Sequence, residues 1–329
     1  MVCFVRQMRE RSNHQVRDFA KKTLLAGLAI AITLVGLEIA LRLFGLGEPP
    51  TFDVNNDYGY LMRPNQTVST RGYPFRINRA GLRGSDFAVP KPPGLFRILF
   101  LGDSITYGGG AIRDEDLFVN RVALELGKSE GRSVEAVNVS APGWGFENMA
   151  GYVESVGLHD SDLVIWIVPS ADFRRPKMTA AENDFLDRKP PSRLFYVLLV
   201  SWRKLEKKLG GKRPPTHASG QNSAVLERNL EVFDHLLARL TRTGEAVVVF
   251  IPSANGYDAS DELARFRSVT VSRGVASLDM APMFRQWKSS EIFLDGVHLS
   301  RNGHELVGKS IVAFLKREFG PAQKKSPPR

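Results

Sequence analysis

The sequence predicts an α/β protein: a three-layer sandwich around a mostly parallel five-stranded sheet, preceded by one N-terminal transmembrane helix. Three observations predict it. From Phe96 onward, short apolar runs alternate with amphipathic stretches, the pattern of strands buried between two layers of helices. Near the N-terminus lies an apolar segment about as long as a bilayer-spanning helix requires. The 329 residues are 43% hydrophobic, ample for a packed core in one large domain or two modest ones.

The first element is the membrane segment. From Thr23 to Leu37 every residue is apolar, small or a threonine, and after Glu38 and Arg42 the apolar character resumes to Leu46. Glu38 and Arg42 are four apart, so on a helix they can pair, and they lie toward one end, where long side chains reach the headgroups. Residues 1–22 form a basic flank carrying a net +4. By the positive-inside rule the N-terminus stays cytoplasmic and the rest is exported. The reading is a signal-anchor over 23–46 in the cytoplasmic membrane. A cleaved signal peptide, with Gly45-Leu46-Gly47 as its small-x-small site, and a buried core helix are the two other readings.

Pro49-Pro50 closes this segment, and residues 47–95, rich in Asn, Gly, Arg and Pro, read as an N-terminal extension. Within it, Phe75–Phe87 (FRINRAGLRGSDF) alternates enough for a short strand and turn. The stretch PKPPG at Pro90–Gly94 marks a boundary. Then come strand 96–102, helix 117–128, strand 133–140, helix 147–157 and strand 163–169. Residues 173–221 interrupt the alternation with an insertion, apolar in front and basic behind. It reads as a helix packing on the body, in preference to a helix docking on a membrane surface. The alternation resumes with a long helix over 222–244, strand 245–252, helix 261–274, strand 275–280 and a last helix ending near Gly320. The tail, 321–329, reads as disordered.

The formal charge of +10 invites a nucleic-acid reading, but its distribution opposes one. The N-terminal flank and the segment from Lys316 each carry +4, leaving +2 for everything between. The body is nearly neutral, and no nucleic-acid partner is expected. The single cysteine, Cys3, excludes an intrachain disulfide and a zinc ribbon. It precedes the apolar segment, so it is not a lipoprotein cysteine following a signal.

In such sheets, sites form beyond the carboxyl ends of the strands. The strand 96–102 ends in Gly102-Asp103-Ser104. These residues either make a turn or present Ser104 as a nucleophile, with Gly102 and Asp103 shaping the bend. Of the six histidines, His14 belongs to the basic flank, and His159, His217 and His235 read as surface residues. His298 differs: it follows an apolar stretch, precedes a helix, and has Asp295 three residues ahead. On a turn, that spacing can bring the carboxylate against the imidazole and fix its tautomer. Taken alone, Asp-x-x-His is also a common turn and capping pattern.

The blocks occur in an order that resembles the SGNH (GDSL) hydrolase superfamily over roughly residues 96–319, and the N-terminal anchor with its FRINRAGLRG element resembles a bacterial membrane-anchored subgroup. GDSITYG at Gly102–Gly108 is similar to the family's first block, NVSAPGWG at Asn138–Gly145 to its second and DGVHLSRNGH at Asp295–His304 to its last. The resemblance implies a flavodoxin-like sandwich and a Ser104–His298–Asp295 triad. It implies an oxyanion hole from the backbone N–H groups of Ser104 and Gly143, and no metal or other cofactor. The implied function is hydrolysis of acyl esters, on O-acyl groups of envelope glycans or lipids. The alternatives are O-acyl transfer to an extracytoplasmic polysaccharide, or a catalytically weak binding domain.

The third block departs from the family. Where Gly-x-Asn-Asp is usual, the chain reads Pro169-Ser170-Ala171-Asp172. Alanine donates no hydrogen bond, and losing one oxyanion donor costs about 2.7–4 kcal/mol of transition-state stabilisation. Ser170 and Asn148 are the residues considered as stand-ins.

Overall fold

The computed structural model describes residues 2–70, 73–183, 186–208, 219–254 and 261–320. In chain order these form α1 (Val2–Leu43), β1 (Phe52–Asn55), β2 (Gly59–Met62), β3 (Gln66–Thr70), β4 (Tyr73–Ile77), β5 (Phe96–Gly102), α2 (Ser104–Tyr107), α3 (Phe118–Glu130), β6 (Val134–Ser140), α4 (Phe146–Ser155), β7 (Leu163–Pro169), α5 (Arg193–Lys208), α6 (Ser219–Thr243), β8 (Glu245–Ile251), α7 (Asp261–Ser272), β9 (Ala276–Asp279), α8 (Ala281–Phe284), α9 (Ser289–Ile292) and α10 (Arg301–Phe319). Two compact units result. One comprises Met1–Glu48 with Pro190–Gly211, the other Pro49–Lys189 with Lys212–Arg329. The tail 321–329 and His217 lie outside the described residues.

The first unit is built on α1. Its stretch Arg17–Leu43 is long and apolar enough to cross a membrane, and none of its most apolar window is buried. That exposure removes the core-helix reading, whereas an anchor and a signal sequence both accord with it. The helix stops at Leu43 rather than Leu46, because the chain turns through Gly45 and Gly47, both at positive φ. Arg42 donates to Glu38 at 2.7 Å, the i,i+4 pair expected from the sequence. The insertion helix α5 belongs to this unit and packs on α1. The reason is local: its first turn has N–H groups without helical acceptors, and the carboxylate of Glu38 accepts from Arg193 N and Leu194 N at 3.2 and 2.9 Å.

The second unit holds the five-stranded sheet, in the order β6-β5-β7-β8-β9 and parallel throughout. Numbered within the sheet this is 2-1-3-4-5, the flavodoxin-like order, whose switch point lies beside its first strand. Strand residues alternate between two cores. Ile98 and Phe100 face α3 and α10, with Phe118, Val122, Val307 and Ile311. Leu99 and Leu101 face α4, α6 and α7, with Phe146, Met149, Phe233, Leu237 and Phe266. Burial on both faces explains why these strands read as continuous apolar runs.

The sequence predicts one short strand in the extension, and the described residues form four. β1–β2 and β3–β4 are antiparallel hairpins of four and five residues per strand, too short to announce themselves by alternation. Phe52, Tyr60, Phe75, Ile77 and Leu82 of the extension share the core on the α4 side, so the extension from Pro49 onward belongs to the same compact unit as the sheet. Isolated bridges join Ile77 to Arg83 and Arg83 to Asn138, which covers the open edge of β6.

Candidate active site

Ser104 opens α2 immediately beyond the end of β5. The turn there is tight: a Cβ on Gly102 would collide with the Thr106 side chain, so glycine is required. Asp103 is fully buried, and its Oδ1 accepts from Ile105 N at 2.8 Å, capping the helix. Gly108 ends the helix at φ +79°. The Ser104 N–H is therefore among the first donors of a helix, which have no intrahelical acceptor.

Asp295 and His298 lie on the loop between α9 and α10. Asp295 Oδ1 accepts from Val297 N and His298 N, both at 2.8 Å, which folds the loop back on itself. Its Oδ2 stands 2.8 Å from His298 Nδ1. On the other edge of the ring, His298 Nε2 is 3.1 Å from Ser104 Oγ, across 194 positions of sequence. The consistent tautomer carries the proton on Nδ1 toward Asp295 and leaves Nε2 to accept from Ser104. Burial would raise the Asp295 carboxyl, but hydrogen bonds from the His298 backbone and ring and from Val297 N outweigh it and hold the group below the usual carboxylate range. The pair is open to solvent, with side-chain exposures of 48% for His298 and 53% for Asp295. These three residues line a cavity of about 270 Å³ with Leu294 and the glycine run Gly108–Gly110.

Gly143 lies on the loop after β6. Ser140, three residues earlier, pairs with Gly102, so the loops bearing Gly143 and Ser104 leave adjacent strand ends. Gly143 has φ +82°, and a Cβ there would stand 2.8 Å from Asn183 Oδ1 and 3.1 Å from the Tyr60 hydroxyl. Ala171 is exposed on a short 3₁₀ turn after β7. Asn148 is not a stand-in for the missing donor. Its Oδ1 accepts from Gly145 N and Met178 N, and its amide donates to Tyr58 O and Met178 O. Ser170 Oγ accepts from Ser253 N.

Two arginines at the site escaped sequence reasoning. Nη1 of Arg175 is 3.2 Å from Asp103 Oδ2, 3.1 Å from Trp144 O and 3.0 Å from Asp172 Oδ1. It thus ties together the loops that follow β5, β6 and β7. Asp103 Oδ2 also lies 3.3 Å from Ser104 Oγ. Asp172 is buried, and burial pushes its carboxyl well above the usual range despite Arg175. Asn229 holds the same loop through its amide, which donates to the carbonyls of Asp172, Phe173 and Arg175. Arg83, with a side chain 1% exposed, donates to Tyr107 O, Gly109 O and Ile112 O at 2.6–2.9 Å and pairs with Asp114 at 2.8 Å. It shapes the glycine run that walls the cavity. The signal for Arg83 was its place in FRINRAGLRG; nothing local marked Arg175.

His159 departs from the surface reading. It is partly buried, 2.8 Å from the Tyr152 hydroxyl, and burial with nearby Arg97 lowers it to about 4. His304, at the cavity wall, is 1% exposed and stacks on Phe118; burial lowers it to about 3. His235 is exposed beside Glu154, as expected. Among the described residues no group of three or more His, Cys, Asp or Glu is placed to hold a metal.

No family model matches the chain, and no curated protein matches it. Solved structures do. A two-domain esterase active on acetylated mannans aligns over 71% of this chain at 16% identity and a TM-score of 0.48, and the chain spans about half of that protein's length, 52%. An acetyl xylan esterase from Geobacillus stearothermophilus aligns over 67% of this chain and 94% of its own at 13% identity, TM-score 0.46. A lipase/acylhydrolase from Enterococcus faecalis aligns over 68% and 96% at 16% identity, TM-score 0.44.

Proposed function

We propose that this chain is a serine esterase of the SGNH type, anchored by α1 in the cytoplasmic membrane with the α/β unit on the exported side. Its substrates are acyl esters, as O-acyl groups of envelope glycans or lipids. One observation carries the reading: the hydrogen-bonded run from Asp295 through His298 to Ser104, at 2.8 and 3.1 Å. Nucleophile, base and orienting carboxylate stand in the relation that acyl transfer requires, on the rim where such sheets place their sites.

In this mechanism Ser104 Oγ attacks the ester carbonyl as its proton passes to His298 Nε2. Asp295 holds the ring by Nδ1 and stabilises the imidazolium. The N–H groups of Ser104 and Gly143 receive the oxyanion. His298 then protonates the departing alcohol, and water, activated by the same nitrogen, releases the acid from the acyl-enzyme. The open triad leaves the acyl-enzyme reachable by water and by an acceptor hydroxyl alike.

The test uses the full chain in detergent. Fluorophosphonate labelling at Ser104 is expected, together with hydrolysis of a small acetyl ester. Ser104→Ala is expected to abolish the label and to lower turnover by about 10⁴-fold or more. Unchanged labelling in Ser104→Ala removes the reading. Faster consumption of the ester on adding a polysaccharide acceptor, with acyl groups recovered on the glycan, assigns the second half-reaction to transfer.

A further inference from the structure

We infer that α5 is an interfacial helix that lies on the exported surface of the membrane, its apolar face among the outer acyl segments of the lipids and its basic residues against phosphate headgroups. The inference rests on the reading of α1 as a membrane anchor.

The first observation is an exposed apolar face. Phe195, Leu198, Trp202 and Leu205 recur at intervals of three and four, and so share one side of the helix. They are 59%, 58%, 65% and 47% exposed. The second is where α5 is fixed. Its start is bound to the last turns of α1. Glu38 accepts from Ser192 Oγ as well as from Arg193 N, Leu194 N and Arg42. Arg193 in turn donates to the carbonyls of Leu41, Arg42 and Leu46 and pairs with Glu48.

This arrangement gives Glu38 more partners than the Arg42 pair that the sequence predicts. A carboxylate inside an apolar span is costly unless its hydrogen bonds are met. Here the opening turn of α5 meets them, and Glu38 acts as that helix's N-cap from another helix. It also sets a depth. Glu38 precedes the end of α1 by five residues, or about 7.5 Å at the rise of an α-helix. Interfacial helices bury their apolar faces about 5–10 Å below the headgroups.

The occupant of the exposed face is lipid. α1, to which this helix is bound, is itself apolar and exposed: Leu34, Val35, Leu37 and Ile39 are 46–58% exposed. Trp202 is the residue type that membrane–water interfaces favour. Beyond Arg193, which α1 and Glu48 engage, residues 194–208 carry Arg203, Lys204, Lys207 and Lys208 against Glu206 alone, a composition suited to anionic headgroups.

The experiment places one environment-sensitive label at a time on the full chain, in a Cys3→Ser background that removes the single cysteine. Label sites are Leu198→Cys and Leu205→Cys on α5, Val35→Cys on α1 and Val271→Cys, 76% exposed on α7, as the aqueous reference. Each protein is reconstituted into nanodiscs of phosphatidylcholine and phosphatidylglycerol doped with lipids that carry a doxyl quencher near the headgroup or near the chain end. The labels at 198 and 205 are expected to emit to the blue of the label at 271 and to lose more intensity to the shallow quencher than to the deep one. Labels at 198 and 205 that match the one at 271, while the label at 35 is quenched, overturn the inference and leave the anchor standing. A label at 35 that no lipid quenches overturns both. Blue-shifted emission at 198 that neither quencher reaches overturns it in favour of a protein cover.

Discussion

The guanidinium of Arg175 stands between the carboxyl groups of Asp103 and Asp172. Asp103 caps α2 and touches the nucleophile, whereas burial keeps Asp172 protonated well above the usual range. Neither oxygen of Asp172 makes an aligned hydrogen bond among the described residues, so Arg175 answers Asp103 and the carbonyl of Trp144. Removing one partner of a buried pair costs about 3–5 kcal/mol, because the other charge is left uncompensated. Arg175→Met is therefore expected to lower the melting temperature of the full chain in detergent and to slow fluorophosphonate labelling. Arg175→Lys is expected to restore only part of either, since an ammonium lacks the planar fork. A wild-type melting temperature in Arg175→Met removes the role. The residues brought together at the cavity were legible because each is tied to local turn chemistry: Gly-Asp-Ser at a strand end, Asp-x-x-His at a helix entrance. Arg175 was not legible. A lone arginine in a loop reads as solvated until burial and its acceptors are known.

Among the elements, the extension reaches furthest into the site. β3 and β4 lead to Arg83, which bridges to Asn138 at the edge of β6 and stacks 4.4 Å above the Phe75 ring. From there its four donors hold residues 107–114. A loop with three successive glycines has no side chains to fix it, and the arginine supplies the constraint. Catalytic geometry tolerates little drift, with about 1 Å of misplacement costing on the order of 10²-fold. Arg83→Met is thus expected to lower kcat/KM on the acetyl ester by roughly 10- to 100-fold and to slow labelling at Ser104. Wild-type labelling in a folded Arg83→Met protein counts against the positioning role. The strands of the sheet were legible to within a residue or two, because burial on both faces imposes unbroken apolar runs. The hairpins were not, since four-residue strands hold too few side chains to show a period. α5 was legible as a helix, but its anchoring contact was not, because Glu38 and the turn at residues 192–194 lie more than 150 positions apart.

At the scale of the whole molecule, the buried titratable groups set opposing pH dependences. His159 and His304 are held neutral to about 4 and about 3, against an unfolded value of about 6.5. Between about pH 6.5 and 4 the unfolded chain takes up two protons at these positions that the folded chain refuses. Stability therefore falls as the pH drops through that window. Asp172 acts in the other direction. Its raised carboxyl keeps a proton in the folded state that the unfolded chain releases above about 3.8, so it favours folding more as the pH drops. The two lowered histidines together outweigh the single opposing carboxyl, so these three groups give a net loss of stability on acidification through this window. The lowered Asp295 carboxyl contributes chiefly below this range. Replacing Asp172 by Asn keeps the shape and removes the opposing proton. Melting of the full chain in detergent at about pH 6 and about pH 5 is expected to show a modest fall in the native protein and a steeper fall in Asp172→Asn. His159→Gln is expected to flatten the native profile. Equal slopes in the native and Asp172→Asn proteins mean that Asp172 is ionised in the folded chain, and the assignment of a protonated acid beside Arg175 then fails.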